Sequence, residues 1–159
     1  MKSKKLKYYL IAILPILGWA SCNENVQSPI PNLPVNLKID LITNSTFRNS
    51  TNQYLLFEKP VYTMDRVGFG GILVCSGINL DDAGNTIYYA FDMACPVEVS
   101  KDVKVYPLKN DLGKVACEKC GSVFDVGQGF GYPVSGAAKV SLRHYRATLS
   151  GNYLIISNL

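Results

Sequence analysis

The clearest pattern along the chain is an alternation of apolar and polar residues over residues 35–42. A period of two is typical of a β-strand with one buried face. Further short β-prone runs follow between turn residues, and residues 81–85 have the composition of a hairpin turn. No stretch keeps a helical period, so the pattern predicts an all-β fold. The other predicted strands are residues 54–57, 72–75, 86–91, 103–108, 114–116, 140–149 and 153–157.

The first 21 residues have the organisation of a signal peptide. Residues 1–7 are basic, and residues 8–20 form an apolar run without charge. A helix of this length would reach about 20 Å, short of the roughly 30 Å hydrocarbon core of a bilayer. The run is therefore predicted to be an export signal and not a membrane span.

The signal ends at Trp19-Ala20-Ser21-Cys22, which resembles the lipobox of bacterial lipoproteins. Trp19 stands where a leucine-like residue is usual, a variation expected of Bacteroidetes-type lipoproteins. The resemblance implies that the thiol of Cys22 is acylated, which anchors the chain to a membrane without spanning it. The alternative is an ordinary cleaved signal that leaves Cys22 as a free thiol.

The remainder divides into a tether and one domain. Residues 22–34 are polar and contain three prolines, which is typical of a flexible spacer. Residues 35–159 are predicted to form the domain, with a polar loop at residues 43–53. The expected location is the cell envelope, on the periplasmic or surface face of a bacterial membrane. An unidentified envelope protein is the expected partner.

The net charge of +4 does not indicate a nucleic-acid partner. Four lysines precede Cys22, and removing them from the 16 basic residues leaves as many basic as acidic residues, 12 of each. The mature protein is therefore near neutral and lacks the excess of positive charge that phosphate binding requires.

Two cysteine loops carry the candidate chemistry. Residues 91–98 read Phe-Asp-Met-Ala-Cys-Pro-Val-Glu, and residues 115–125 read Val-Ala-Cys-Glu-Lys-Cys-Gly-Ser-Val-Phe-Asp. They resemble the Rieske family, in which loops of the form Cys-x-His and Cys-x-x-His-Gly-Ser-x-Phe-Asp hold a two-iron cluster. The resemblance is strongest over residues 67–158. It implies a small antiparallel β-domain of stacked sheets or a partial barrel, with two ligand loops at one end.

The chain departs from the Rieske pattern at the ligands. Cys95 and Cys117 match the family cysteines, but Val97 and Cys120 stand where the histidines belong. His144 is the single histidine of the chain and lies in a predicted strand, where a structural role is expected. A standard cluster with two histidine and two cysteine ligands is therefore not expected.

The remaining donors predict a metal–thiolate site. Cys95, Cys117 and Cys120 would suit zinc, with Glu98 or water as the fourth ligand. An altered [2Fe–2S] cluster with three cysteines and one oxygen ligand is the variant closest to the family. Cys117 and Cys120 are expected to flank a tight turn that Gly121 permits, because glycine adopts a positive φ without steric cost.

A cofactor-free binding or structural module is the alternative. In an oxidising compartment its cysteines would be oxidised or packed, and Cys75–Cys95 with Cys117–Cys120 is one of three possible pairings. For Cys75 the preferred interpretation is a small buried hydrophobic residue. No nucleophile–base pair or nucleotide-binding glycine motif is present, so the chain is not expected to be an enzyme, or at most an electron-transfer component.

Overall fold

The computed structural model describes residues 28–159, which form an all-β fold with antiparallel pairing and one short helix. The predicted fold class is confirmed. The predicted signal peptide and Cys22 lie outside the described residues. The elements are β1 Val35–Asp40, α1 Ser45–Asn49, β2 Tyr54–Phe57, β3 Arg66–Val67, β4 Ile72–Leu80, β5 Thr86–Asp92, β6 Val105–Pro107, β7 Lys114–Cys117, β8 Val123–Asp125, β9 Tyr132–Ser135, β10 His144–Ser150 and β11 Tyr153–Ser157.

Seven strands form a strongly curled, nearly closed sheet in the order β2-β4-β5-β10-β11-β1-β3. β1 pairs with β11 in a register that places Leu37 opposite Ile156. The sheet does not close completely, because its two end strands, β2 and β3, do not pair with each other in the part of the chain that the structure describes. A cleft of about 520 Å³ remains between β1 and β2, with Leu37 and Leu55 among its lining residues.

The interior of this sheet is filled by what we call the barrel core. The alternation along β1 buries Val35, Leu37 and Ile39 and exposes the residues between them, as a strand with one buried face requires. Most other members are aliphatic side chains from the same sheet. The barrel core consists of Val35, Leu37, Ile39, Leu41, Phe47, Ile72, Val74, Ala90, Tyr145, Leu154 and Ile156.

The other four strands form a small sheet in the order β6-β7-β8-β9. It packs with one face of β4 and β5 around a second cluster, the cysteine core. β4 contributes to both clusters, because Ile72 and Val74 face one way while Leu73 and Cys75 face the other. The cysteine core consists of Leu73, Cys75, Phe91, Met93, Cys95, Val105, Val115, Cys117, Phe124, Val126, Ala138 and Leu142.

Several elements differ from the sequence prediction. The strands β3, β8 and β9 are short, and none of them was predicted. The segment predicted as a polar loop contains the helix α1, whose Phe47 is buried against the Tyr88 ring at a centroid distance of 5.4 Å. The hairpin at residues 81–85 is confirmed, since the Asp81 N–H donates to the Asn85 carbonyl at 2.9 Å.

The structure also describes residues 28–34, the last part of the predicted tether. Here the Ile30 side chain is buried, and Arg143 Nε donates to the Ile30 carbonyl at 2.7 Å. Contacts with the domain therefore begin before β1. Within residues 28–159, no helix has the length and apolar character needed to cross a bilayer.

Candidate metal centre

The first cysteine loop is held in place by a buried carboxylate. Asp92 ends β5 and is fully buried. Its Oδ1 accepts from the N–H groups of Gly70 and Ala94 at 3.0 and 2.8 Å. Its Oδ2 accepts from the Phe69 N–H at 2.9 Å and the Tyr145 hydroxyl at 2.6 Å. Four donors around one carboxylate fix the chain three residues before Cys95.

Cys95 lies in a tight turn that directs N–H groups at its sulfur. Its own N–H donates to the Val103 carbonyl at 3.0 Å, and its carbonyl accepts from the Val99 N–H at 2.9 Å. Val99 has a φ of 47°, which is unusual for a β-branched residue. The N–H groups of Val97 and Glu98 act to lower the pKa of the Cys95 thiol. The turn therefore partly offsets the cost of burying a thiolate here.

The second loop is a tight turn that starts at the end of β7. The Gly121 N–H donates to the Cys117 carbonyl at 2.9 Å, and the Cys117 N–H donates to the Ser122 carbonyl at 2.9 Å. Gly121 has a φ of 67°, a conformation that glycine adopts without steric cost. The predicted role of Gly121 is confirmed, and the turn brings the Cys120 side chain back toward Cys117.

The two loops bring three sulfurs together. The Sγ atoms of Cys95, Cys117 and Cys120 all lie within 4.8 Å of one another. The Sγ atoms of Cys95 and Cys120, on different loops, are 3.5 Å apart. Ligands at about 2.3 Å from one tetrahedral zinc ion would be about 3.8 Å apart. The spacing of the sulfurs is therefore close to what a single ion requires.

The three thiols differ in their ease of ionisation. Burial raises the pKa of the Cys95 thiol from 9.0 to about 12, although the N–H groups of Val97 and Glu98 oppose this. For Cys120, burial is the largest single influence and raises the pKa. Hydrogen bonds from Ser122 and the two neighbouring thiols outweigh burial, so the pKa of Cys120 is lowered. Without metal, Cys120 therefore ionises before Cys95.

Ser122 links the second loop to a neighbouring glycine turn. It is fully buried, and its Oγ accepts from the Ala138 N–H at 3.0 Å while lying 3.1 Å from Cys120 Sγ. Gly136 in that turn has a φ of 89°, and a Cβ there would overlap the Cα of Ser122. The close approach requires glycine at this position and keeps the serine hydroxyl against the sulfur.

Glu98 is not part of the group of converging ligand atoms. Its Oε2 lies 2.6 Å from the Nζ of Lys119, so an ion pair connects the two cysteine loops. The hydrogen bond that Lys119 donates to Glu98, followed by the charge of Glu98, raises the pKa of Lys119, and the charges of Cys117 and Cys120 act in the same direction. The role of Glu98 as a metal ligand stays a prediction.

Two other candidate residues lie outside the group. His144 Nε2 is 2.6 Å from the Phe130 carbonyl, and its ring packs edge-on against Phe91. Burial lowers the pKa of His144 despite that hydrogen bond. Cys75 is 1% exposed, and its thiol donates to the Val126 carbonyl at 3.4 Å. The surroundings of both residues agree with the structural roles predicted for them from the sequence.

The residues that position the cysteines were not predicted from the sequence. Asp92 and Ser122 occurred only as parts of the quoted motifs, and Lys119 received no role. A carboxylate at the end of an otherwise apolar strand is the signal that could have identified Asp92, because a buried charge needs partners. Lys119 carried no comparable signal.

Comparison with known proteins assigns the chain to no group. No protein-family model matches it, and no curated protein matches it.

Proposed function

We propose that this protein is a membrane-anchored envelope lipoprotein whose β-domain is related to the Rieske family and binds one metal ion, zinc, without catalysing a reaction. The single observation that carries the metal assignment is the convergence of Cys95, Cys117 and Cys120 within 4.8 Å. Thiolates are ligands that zinc readily accepts. The backbone N–H groups around Cys95 support the same proposal, since they offset the negative charge of a bound thiolate.

The donor set favours one ion over an iron–sulfur cluster. A standard Rieske centre does not fit, because Val97 has no donor atom and His144 contacts the Phe130 carbonyl. In an altered two-iron cluster the ligands of different irons point away from each other, whereas these three sulfurs surround one point. Zinc also has no redox chemistry and can bind after the chain has crossed a membrane.

Elemental analysis of the purified full-length protein tests the metal. We expect about one equivalent of zinc and a colourless protein. Cys95→Ser, Cys117→Ser and Cys120→Ser should each lower zinc content, because each removes a converging thiolate. Cys75→Ala is the matched control, since it removes a buried cysteine outside the group and should keep the zinc. A brown, iron-containing protein or a metal-free one would contradict the proposal.

The proposed anchor needs a separate test. With its lipid, the protein should partition into detergent, and Cys22→Ala should abolish that partition. Mass spectrometry of the mature N-terminus should find an acylated Cys22. An unmodified cysteine at the mature N-terminus would rule out the anchor and leave the metal proposal unaffected.

A cofactor-free module is the second candidate, and the Cys95–Cys120 pair favours it. Their sulfurs are 3.5 Å apart, so a small movement of the second loop could close a disulfide. This pair belongs to one of the three possible pairings, but not to the one named from the sequence, Cys75–Cys95 with Cys117–Cys120. Peptide mapping without reduction should then find a Cys95–Cys120 crosslink and no zinc. Zinc with fully reduced cysteines would exclude this candidate.

A further inference from the structure

The proposed zinc ion would have three protein ligands in the described part of the chain. Zinc in proteins is almost always four-coordinate, and a site with three protein ligands holds an external molecule at the fourth position. Glu98 is paired with Lys119 at 2.6 Å. The Nε2 of His144 is 2.6 Å from the Phe130 carbonyl. Neither is among the atoms that converge with the three sulfurs.

One side of the site reaches the surface of the protein. Cys95 and Cys117 are fully buried, whereas Cys120 is only partly buried. Val97 is 41% exposed, and the Lys119 side chain is 62% exposed. An ion held by two deep sulfurs and one shallow sulfur therefore has its remaining position toward this surface.

The charges around the site favour a neutral ligand. One Zn²⁺ and three thiolates have a net charge of −1, and Glu98 and Lys119 cancel each other. A fourth anion would make the net charge −2 beside two buried cysteines. Such a charge is unfavourable where the dielectric constant is low. Zinc prefers nitrogen and sulfur donors. A neutral nitrogen donor satisfies both conditions.

We propose that the centre formed by Cys95, Cys117 and Cys120 keeps a solvent-facing fourth position that binds a neutral imidazole from outside the chain. This inference rests on the proposed metal site. His144 is the single histidine of the whole sequence and is engaged elsewhere, so the chain supplies no imidazole of its own. The source is either a free imidazole compound or a histidine side chain of a partner protein.

Cobalt substitution of the full-length protein in detergent tests the proposal, because Co²⁺ replaces Zn²⁺ and reports its ligands by absorption. The sulfur-to-cobalt charge-transfer band should have the intensity of three thiolates. Added imidazole should shift the visible d–d bands in a saturable way and leave the charge-transfer intensity unchanged. A short peptide with one central histidine is the second probe. Binding of the peptide as tight as that of imidazole indicates a protein source, and binding of imidazole alone indicates a small molecule.

Four variants and one competing ligand make the result decisive. Cys120→Ser should reduce the charge-transfer band, whereas Cys22→Ala should leave it unchanged. Glu98→Gln and Lys119→Gln both break the ion pair between the loops, so the two should have the same spectrum before imidazole is added. A spectral change in Cys22→Ala, or one in Glu98→Gln that Lys119→Gln lacks, would show that the chain fills the fourth position and would overturn the inference. Tighter binding of 2-mercaptoethanol than of imidazole would also overturn it.

The cobalt spectrum distinguishes failure of the proposed metal site from failure of the proposed open position. If cobalt produces no thiolate charge-transfer band, the metal site itself is absent and the proposed function fails. If the three-thiolate band forms but imidazole leaves the d–d bands unchanged up to saturating concentrations, the metal site stands and only the open position is refuted.

Discussion

The barrel core and the cysteine core are built by different means. The barrel core is filled by alternate residues of long strands, with partners such as Leu37 and Ile156 directly opposite each other. The cysteine core lies among short strands and turns. There, side-chain bonds to the backbone, such as those of Asp92 and Ser122, replace part of the strand ladder. The barrel core therefore depends mainly on strand pairing and apolar burial, whereas the cysteine core also depends on hydrogen bonds from buried polar side chains.

The largest expected effect on stability comes from creating a cavity in the barrel core by substitution. Ile156 is fully buried in β11, so Ile156→Ala should lower the free energy of unfolding by about 2–5 kcal/mol. Ile155 is its neighbour on the opposite face and is 37% exposed, so Ile155→Ala should cost only about 0.5 kcal/mol. Urea unfolding measures both. Equal losses of unfolding free energy in the two variants would contradict the assignment of Ile156 to the buried face of β11 and Ile155 to its exposed face.

A smaller effect is expected where the two cores meet. The Tyr145 ring lies in the barrel core, and burial raises the pKa of its hydroxyl, which therefore remains a donor to Asp92. Tyr145→Phe should lower stability by about 1.5–3 kcal/mol, the usual contribution of a hydrogen bond to a charged group. Tyr153→Phe, at a 40% exposed tyrosine, is the control. Similar unfolding midpoints for the two variants would show that the hydroxyl contributes nothing.

The cysteine core should make stability depend on pH in alkaline solution. Burial, followed by the charge of Asp125, raises the pKa of the Cys75 thiol from 9.0 to about 12. Between these values the unfolded chain loses the proton and the folded chain keeps it, so stability falls as pH rises. The loss from Cys75 is at most about 1.4 kcal/mol per pH unit.

Cys75→Ala isolates this contribution. The variant should be less stable than wild type near neutral pH, because the buried sulfur is lost, but its stability should fall less between pH 9 and 10. Urea unfolding at several pH values measures the difference. Parallel pH curves for the two proteins would show that Cys75 does not titrate as its burial requires.

Chemical modification of the cysteines in the site is expected to have the smallest effect on stability. The quantity that changes there is the reactivity of each thiol. In the metal-free protein, Cys120 is partly exposed and its pKa is lowered, whereas Cys95 is buried and its pKa is raised. Iodoacetamide should therefore modify Cys120 first. Timed peptide mapping by mass spectrometry checks the order, and added zinc should slow the reaction. Faster modification of Cys95 would contradict the described turn geometry.

The barrel strands could be predicted because a period of two over several residues is a strong signal. The predicted limits of β2 and β11 agree with the structure. β8 and β9 were missed because each is short and β9 contains Pro133, which breaks a strand pattern. Their pairing depends on the tertiary register, which local sequence does not encode strongly.

The candidate site was predictable in its residues but not in its surroundings. The resemblance of the two loops identified Cys95, Cys117 and Cys120, and the packing of the small sheet against β4 and β5 brings the two loops together. Glu98 or water was predicted as the fourth ligand, and the ion pair of Glu98 with Lys119 on the other loop was not predicted. The charged group that a carboxylate contacts depends on the relative position of the loops. The spacing of residues along the chain does not specify that position.

The sequence by itself determined the all-β class, because alternating apolar residues and turn residues act locally. It also determined which three cysteines could meet, because the loop motifs contain them. The tertiary structure alone decided that Asp92 holds the first loop, that Ser122 lies against Cys120, and that Glu98 turns to Lys119. The physical reason is that hydrogen bonds and ion pairs depend on separations of a few tenths of an ångström, and these are set only when distant segments pack together.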